Sequence, residues 1–283
     1  MQKPAWCNKK IDLAACNNLK QLLRGLRLHT VCEESHCPNI SECFDKKLAT
    51  FMILGDICTR TCAFCNVSKG APRALDYQEP ERVAKAVRLL GLTYVVITSP
   101  TRDDVDDGGA ELFCQTVRQL KRLSPTPHVE ILIPDFLGNI RALGKIASCG
   151  VDVISHNIET CPSLYIKVRK GADYQRSLKV LEIVKEQSPK KVFTKSGLML
   201  GLGESLNEVI GVMQDLRSLD CDFLTLGQYL PPSRRHYPLS QYIHPAQFKH
   251  LESTALAMGF KGVQSGTYVR SSYAAHTFLN KIS

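Results

Sequence analysis

The feature that most constrains the fold is a regular alternation of short apolar segments and helix-type segments, which begins near residue 50. The apolar segments have the length of strands, and the segment after each one has helical periodicity. The strands are predicted at residues 50–54, 94–98, 129–133, 151–155, 196–200 and 223–226. The helices are predicted over about 80–90, 109–122, 139–148, 176–187, 206–219 and 246–258.

Strands that are apolar almost throughout are typical of a parallel sheet covered by helices. Six such units predict one α/β, barrel-like domain over residues 50–260, with extensions at 1–49 and 261–283. Leu19, Leu22, Leu23 and Leu26 have helical spacing and predict one amphipathic helix in the first extension. In barrels of this kind the chemistry lies at the carboxyl ends of the strands.

A cysteine triplet directly follows the first predicted strand. Cys58, Cys62 and Cys65 form a C-x3-C-x2-C loop with Phe64 before the last cysteine. Three thiolates can hold three irons of a 4Fe-4S cluster, which leaves the fourth iron open to the amino and carboxylate groups of a methionine-type ligand. The alternative is zinc, which usually takes four ligands in paired C-x2-C knuckles. The loop resembles the signature of the radical-SAM superfamily.

A second triplet, Cys32, Cys37 and Cys43, precedes the first with C-x4-C-x5-C spacing. Thiolates suit both iron–sulfur clusters and zinc. The spacing alone therefore leaves three readings open: a second cluster, a zinc site that includes His36, or no metal.

Charge and hydropathy limit the class of protein. The formal net charge of +9 comes from scattered basic residues, which fits solubility, an acidic protein partner or, least well, nucleic acid. No apolar run approaches the roughly 18–20 residues of a membrane span, and the N-terminus lacks the apolar core of a signal peptide. We expect a cytoplasmic protein without a disulfide framework, despite its 12 cysteines.

Taken together, the two triplets, fourteen residues apart, resemble the lipoyl synthase family. Residues 29–39, HTVCEESHCPN, match that family nearly residue for residue, and the RSSY segment at 270–273 resembles its C-terminal signature. Further matching segments lie at 98–110, 156–160, 195–204 and 227–236, so the resemblance covers about residues 3–275.

The resemblance implies a fold, two clusters and a reaction. The fold is a partial (β/α)6 TIM-like barrel of the radical-SAM type. The first triplet would hold the cluster that binds S-adenosyl-L-methionine (SAM), and the second triplet with Ser272 would hold an auxiliary 4Fe-4S cluster. The reaction would insert sulfur from the auxiliary cluster at C6 and C8 of a protein-bound octanoyl chain by radical chemistry.

The same resemblance extends to SAM contacts and partners. The expected cofactor-binding residues are Phe64, Gly108, Gly109, Asn157, Glu159 and Arg270. The alternatives are a simple helix-start turn for the two glycines and capping for Asn157 and Glu159. For Arg270 they are a contact with an acidic carrier domain or a solvated surface position. The implied partners are octanoylated lipoyl domains of 2-oxoacid dehydrogenase complexes, the glycine-cleavage H protein, and reduced flavodoxin or ferredoxin, with no nucleic acid and no membrane.

Two rival functions remain at this point. Another radical-SAM enzyme, such as one inserting sulfur into biotin or RNA, would keep the first triplet but lack the second triplet and RSSY. A zinc-stabilised nucleic-acid-binding module would be colourless. Two four-iron clusters instead predict a brown protein with about eight irons per chain.

Overall fold

The computed structural model describes residues 2–9, 16–45 and 48–279, without the side chains of residues 18 and 45. Within these ranges no helix is long and apolar enough to cross a membrane. The strands are β1 His29–Thr30, β2 Thr50–Met52, β3 Ile57–Cys58, β4 Ser68–Lys69, β5 Tyr94–Thr98, β6 His128–Leu132, β7 Val153–Ser155, β8 Phe193–Leu200, β9 Phe223–Gln228 and β10 Gly262–Gly266. The helices are α1 Asn17–Gly25, α2 Val31–Glu34, α3 Ile40–Asp45, α4 Glu79–Leu90, α5 Ala110–Lys121, α6 Ile140–Ala147, α7 Tyr165–Val168, α8 Tyr174–Gln187, α9 Leu206–Ser218, α10 Pro245–Ala257 and α11 His276–Leu279.

The main sheet has eight strands in the order β1-β2-β5-β6-β7-β8-β9-β10. Strands β2 and β5 to β10 are parallel to their neighbours, and β1 is antiparallel to β2. The sheet is open, because β1 and β10 lie at opposite ends of the order. The predicted α/β class with a parallel sheet is confirmed.

Strand β10 was not predicted. Its sequence, GVQSG, has a single strongly apolar residue between two terminal glycines, so it lacks the pattern of a buried strand. Its backbone nevertheless pairs with five residues of β9, from Gly262 with Phe223 to Gly266 with Gly227. The sheet therefore continues into the segment that was expected to be a C-terminal extension.

The two faces of the sheet differ in polarity. Leu198 and Leu200 of β8 pack into an apolar core with α9 and α10. On the other face, which we call the inner face, the buried Lys195 of β8 forms an ion pair with Glu130 of β6. Glu130 also accepts hydrogen bonds from the Tyr94 hydroxyl at 2.7 Å and the Ser155 hydroxyl at 2.8 Å. The ammonium of Lys195 has no such hydrogen bond, and it lies 5.1 Å from the ring centre of Phe278. The additional partners of Glu130 offset part of the cost of burying this ion pair.

The turn into α5 generates a prediction about stability. Gly109 precedes α5 with a φ of +89°, and a Cβ at this position would lie 2.3 Å from Cδ1 of Leu54. Gly109→Ala should therefore lower the free energy of unfolding by about 1–3 kcal/mol, through strain at positive φ and a clash with the core. The change should appear as a lower urea midpoint.

Gly211→Ala is the matched control, since a Cβ on this helical glycine would meet nothing within 4 Å. Alanine is favoured over glycine inside a helix by about 0.5–1 kcal/mol, so this variant should be as stable as the parent or more stable. Equal midpoints for the two variants would contradict the packing argument.

Candidate cluster-binding site

The first cysteine triplet lies at the carboxyl edge of the sheet, in the loop between β2 and α4. Cys58 ends β3, which pairs with β4 and so ties the two ends of the loop together. The Cys58 sulfur accepts backbone N–H groups of Arg60 at 3.4 Å and Thr101 at 3.3 Å. Amides from its own loop and from the loop after β5 therefore hold this sulfur.

Backbone contacts on both sides fix the second half of the loop. The Ala63 N–H donates to the Val168 carbonyl of α7 at 2.8 Å, and the Tyr237 N–H donates to the Ala63 carbonyl at 2.9 Å. Cys62 and Cys65 flank this contact, and the Cys65 N–H closes a turn onto the Cys62 carbonyl at 3.2 Å. The cysteine loop is therefore clamped between α7 and the segment that follows β9.

The three thiols of this loop are close enough to influence one another. Burial is the main reason that the pKa of Cys65 is raised to about 12, and the charges of Cys62 and Cys58 contribute to this rise. Burial also raises the pKa of Cys62, where Arg169 acts in the opposite direction. Thiols that repel one another as thiolates are stabilised in that form by a bound cation, so the donor set fits an iron–sulfur cluster.

The second triplet lines a cleft that is open to solvent. Cys32 comes from α2, Cys37 from the turn after it and Cys43 from α3, and Ser272 reaches the same cleft from the C-terminal segment. Burial raises the pKa of Cys32 to about 12, with added repulsion from Cys37 and Cys43. This donor set, three thiols and one hydroxyl around a cleft, also fits a cluster.

Across the described part of the chain, no three His, Cys, Asp or Glu side chains converge as ligands of a single metal ion.

Chain segments distant in sequence meet beside the cleft. Lys9 donates to Asn39 Oδ1 at 2.6 Å and to Glu42 Oε2 at 2.8 Å, and its ammonium lies 5.1 Å from the ring centre of Tyr268. Asn39 Nδ2 donates to the Tyr268 carbonyl at 2.7 Å, and the Tyr273 hydroxyl donates to Glu42 Oε1 at 3.0 Å. These contacts join the N-terminal segment, the second triplet and the RSSY segment.

Asn157, just after β7, links the inner face of the sheet to the RSSY segment. Its Nδ2 donates to Glu159 Oε1 at 3.1 Å and to the Ser271 hydroxyl at 2.6 Å. A Cβ on Gly197 would lie 3.0 Å from Asn157 Oδ1 and 3.3 Å from the Ser271 hydroxyl, so glycine leaves room for this contact. Asn157 Oδ1 is buried without a hydrogen-bond partner, and it is an acceptor open to a ligand.

Arg270 lines the cleft of the second triplet, and Glu159 interacts electrostatically with Arg270 and with cysteines of the first triplet. Burial raises the pKa of Glu159, while Arg169, Asn157 and Arg270 act to lower it. Burial lowers the pKa of Arg270, while Cys37, Tyr268 and Glu159 act to raise it. Glu159 also raises the pKa of Cys62 and of Cys65. One carboxylate and one guanidinium therefore connect the two triplets electrostatically.

The remaining predicted cofactor residues lie apart from these contacts. Gly108 has a φ of +62°, and a Cβ on it would lie 2.6 Å from Cδ1 of Phe136. Gly109 packs against Leu54. Packing in the turn before α5 therefore explains why glycine occupies both positions. Phe64 packs beside Val168, Leu202 and Tyr229. Contacts of these three residues with SAM remain predictions.

Two residues that make several contacts at the site were not predicted from the sequence. Arg60 lies inside the first triplet and forms ion pairs with Asp103 and Asp135. Lys9 joins the second triplet to the C-terminal segment. A charged residue between two predicted ligands was the available signal for Arg60, whereas no local pattern marks Lys9.

The sequence and the fold are similar to those of known proteins. Residues 52–216 match the model of the Radical SAM superfamily. The chain is 52% identical over 277 residues to a lipoyl synthase of Geotalea daltonii, covering 98% of this chain and 94% of the relative. It is 54% identical over 274 residues to a lipoyl synthase of Geobacter sulfurreducens, covering 97% and 90%. Methylornithine synthase has a similar fold, with a TM-score of 0.56 and 16% identity over 78% of this chain and 71% of that chain.

The raised thiol pKa values predict low reactivity in the cluster-free chain. A thiol whose pKa is raised is protonated below that value and becomes a thiolate as the pH rises towards it. Cys32 and Cys65, each with a pKa of about 12, should react with iodoacetamide at pH 8 on the order of 10²–10³ times more slowly in the folded chain than in guanidinium. Peptide mass spectrometry measures the two rates, and equal rates would contradict the burial argument.

Proposed function

We propose how the residues of this chain divide the work of a lipoyl synthase, because the chain belongs to the lipoyl synthase family within the radical-SAM superfamily. It is an enzyme that uses SAM and two 4Fe-4S clusters. Its reaction is the radical-mediated insertion of two sulfur atoms, drawn from the auxiliary cluster, at C6 and C8 of a protein-bound octanoyl-lysine.

The reaction needs cofactors because no side chain can deprotonate an unactivated methylene or methyl group. When bound, SAM and the two clusters supply the hydrogen-abstracting radical and the sulfur. The protein has to hold these groups, orient the octanoyl chain and exclude water.

Cys58, Cys62 and Cys65 are assigned to the cluster that binds SAM. Three observations support this assignment: the loop follows β2 at the carboxyl edge of the sheet, three thiols adjoin one another, and no fourth cysteine lines this loop. Three protein ligands leave one iron for the amino and carboxylate groups of SAM.

Cys32, Cys37, Cys43 and Ser272 are assigned to the auxiliary cluster. The observation that carries the assignment is that one cleft gathers the three cysteines and a serine that lies more than two hundred residues later in the chain. A serine oxygen binds iron less firmly than a thiolate does. A weak fourth ligand suits a cluster that must give up its sulfur.

Asn157, Glu159 and Arg270 are assigned to SAM. The unpaired Oδ1 of Asn157 and the buried carboxylate of Glu159 can accept from the methionyl amine or the ribose hydroxyls. Arg270 can pair with a carboxylate from its position near Glu159 and Cys37. Phe64, Gly108 and Gly109 complete the proposed SAM-binding set by resemblance alone.

The finer partners also belong to the proposal. We assign octanoylated lipoyl domains of 2-oxoacid dehydrogenases and the glycine-cleavage H protein as carriers, reduced flavodoxin or ferredoxin as electron donor, and the cytoplasm as location. The net charge of +9 fits acidic protein partners.

The decisive experiment is anaerobic incubation of reconstituted protein with SAM, dithionite and an octanoylated lipoyl domain. The carrier mass should rise by two sulfur atoms less the hydrogens removed. An unchanged carrier, with SAM cleaved, would favour a radical-SAM enzyme with another substrate. A colourless, iron-free preparation would refute the cluster assignments.

Replacing Ser272 should separate the two activities. Ser272→Ala removes the proposed fourth ligand of the auxiliary cluster, so SAM cleavage should persist while sulfur insertion falls at least about tenfold. Thr267→Ala is the control, because it removes a hydroxyl from the same segment outside the cleft. Lipoyl product formed by Ser272→Ala at the parental rate would show that Ser272 is not a functional ligand.

Replacing Cys58 should abolish both activities. Cys58→Ala removes one of only three protein ligands of the SAM-binding cluster, so the chain should retain about four irons, those of the auxiliary cluster. Cys221→Ala, a buried cysteine outside both triplets, should keep iron content and turnover. Surviving SAM cleavage in Cys58→Ala would contradict the assignment of the first triplet.

A further inference from the structure

Arg60 is a buried charge in the middle of the first cysteine loop. It lies two residues after Cys58 and two before Cys62, and its side chain is 6% exposed. A buried guanidinium is costly unless it is paired and fully hydrogen-bonded. Its partners therefore determine where this part of the loop can lie.

The guanidinium of Arg60 donates hydrogen bonds to two carboxylates. Nε and Nη2 donate to the two oxygens of Asp103 at 2.7 and 2.9 Å. Nη1 and Nη2 donate to the two oxygens of Asp135 at 2.9 and 2.6 Å. Asp103 follows β5 and Asp135 follows β6, so a single side chain is fixed to the ends of two neighbouring strands. Lysine cannot reproduce two such forks, because only the guanidinium is planar and bidentate.

The carboxylates are themselves held in place. Asp135 also accepts from Nε of Arg176 at 2.8 Å and from the Leu137 N–H at 3.1 Å. The Asp103 N–H donates to the hydroxyl of Thr59, the neighbour of Arg60, at 3.2 Å. Two arginines and two aspartates cancel in charge, so the network is neutral as a unit. It acts as a rigid support rather than as a flexible surface pair.

The contact of Cys58 with Thr101 belongs to the same connection. The Thr59 N–H and hydroxyl both donate to the Thr101 carbonyl, at 3.1 and 3.0 Å. The Thr101 N–H reaches the Cys58 sulfur at 3.3 Å. Residues 58–60 are therefore bound to residues 101–103 along their whole length.

We propose that Arg60 is a positioning residue for the SAM-binding cluster, an inference that rests on the proposed function of the first triplet. A cluster held by three cysteines of one loop can be placed no more accurately than that loop. The Arg60 clamp fixes the loop between Cys58 and Cys62 relative to the ends of β5 and β6. The open coordination position therefore keeps a constant place relative to SAM-binding residues on the rest of the sheet.

Three variants test the clamp in the reconstituted full-length chain. Arg60→Lys keeps the charge but loses the double fork, and Arg60→Met loses both. The double variant Arg60→Met with Asp103→Asn removes the carboxylate that Arg60→Met leaves without an ion-pair partner, whereas Asp135 keeps its ion pair with Arg176. Arg82→Lys is the matched control. Arg82 lies on α4, away from the cysteine loop, and forms an ion pair with the exposed Asp76 at 2.8 Å.

The measurements are iron per chain, the unfolding midpoint, the rate of SAM cleavage without carrier, and the change in the electron paramagnetic resonance spectrum of the reduced first cluster on adding SAM. Arg60→Lys should fold with a lower midpoint than the parent because the double fork is lost. Under conditions where it is fully folded, it should lose at least tenfold in SAM cleavage and show an altered or absent spectral change. The double variant should recover the stability lost in Arg60→Met without recovering SAM cleavage. If the Arg60 variants lose the iron of the first cluster alone, this would also support the proposal, because Arg60 would then position the cysteine loop while the cluster is assembled.

Parental SAM cleavage and a parental spectral change in both Arg60→Lys and the double variant would overturn the proposal, and Arg60 would then only stabilise the fold. Failure of the proposed function looks different. In that case the parent chain itself would show no spectral change on adding SAM.

Discussion

The parallel pairing of β2 and β5 to β10 is the constraint on which the rest of the structure depends. Because the strands run in one direction, the loops that follow them emerge at one edge of the sheet. Cys58, Thr101, Asp135 and Asn157 follow β2, β5, β6 and β7, respectively, and contacts among these loops build the site. The cysteine loop could not hold this shape alone, since most of its fixed contacts are made with other loops.

A second constraint is that the two ends of the chain meet beside the sheet. The second triplet supplies three sulfurs to a cleft whose fourth side is Ser272. Lys9, Asn39 and Glu42 bind the aromatic residues around that serine. Only the folded chain brings Ser272 to the cysteines of the proposed auxiliary site, and the contacts of its neighbours position this segment.

Burial gives the site its chemistry. Thiols at both triplets are harder to ionise than free cysteines because they are desolvated and adjoin one another, so binding of iron and loss of the thiol protons are coupled. Arg60 is instead paired with Asp103 and Asp135. Burial lowers the pKa of Arg270, although the charges of Cys37 and Glu159 act to raise it. The contacts of Arg60 hold the first cysteine loop in place, whereas Glu159 and Arg270 connect the two triplets electrostatically.

The sequence by itself determined the α/β class, six strands with their helices, and the two cysteine triplets, because apolar periodicity and ligand spacing are local patterns. It missed β10, whose GVQSG sequence is stabilised as a strand by pairing with β9. It named Asn157, Glu159, Arg270 and Ser272 only by resemblance, since nothing local shows which distant residues they contact. Only the tertiary structure decided that Arg60 is clamped by two strand ends and that Ser272 joins Cys32, Cys37 and Cys43. The physical reason is that hydrogen bonds and ion pairs between residues 43 to 231 positions apart depend on how the sheet brings its loops together, and no sequence window spans such a distance.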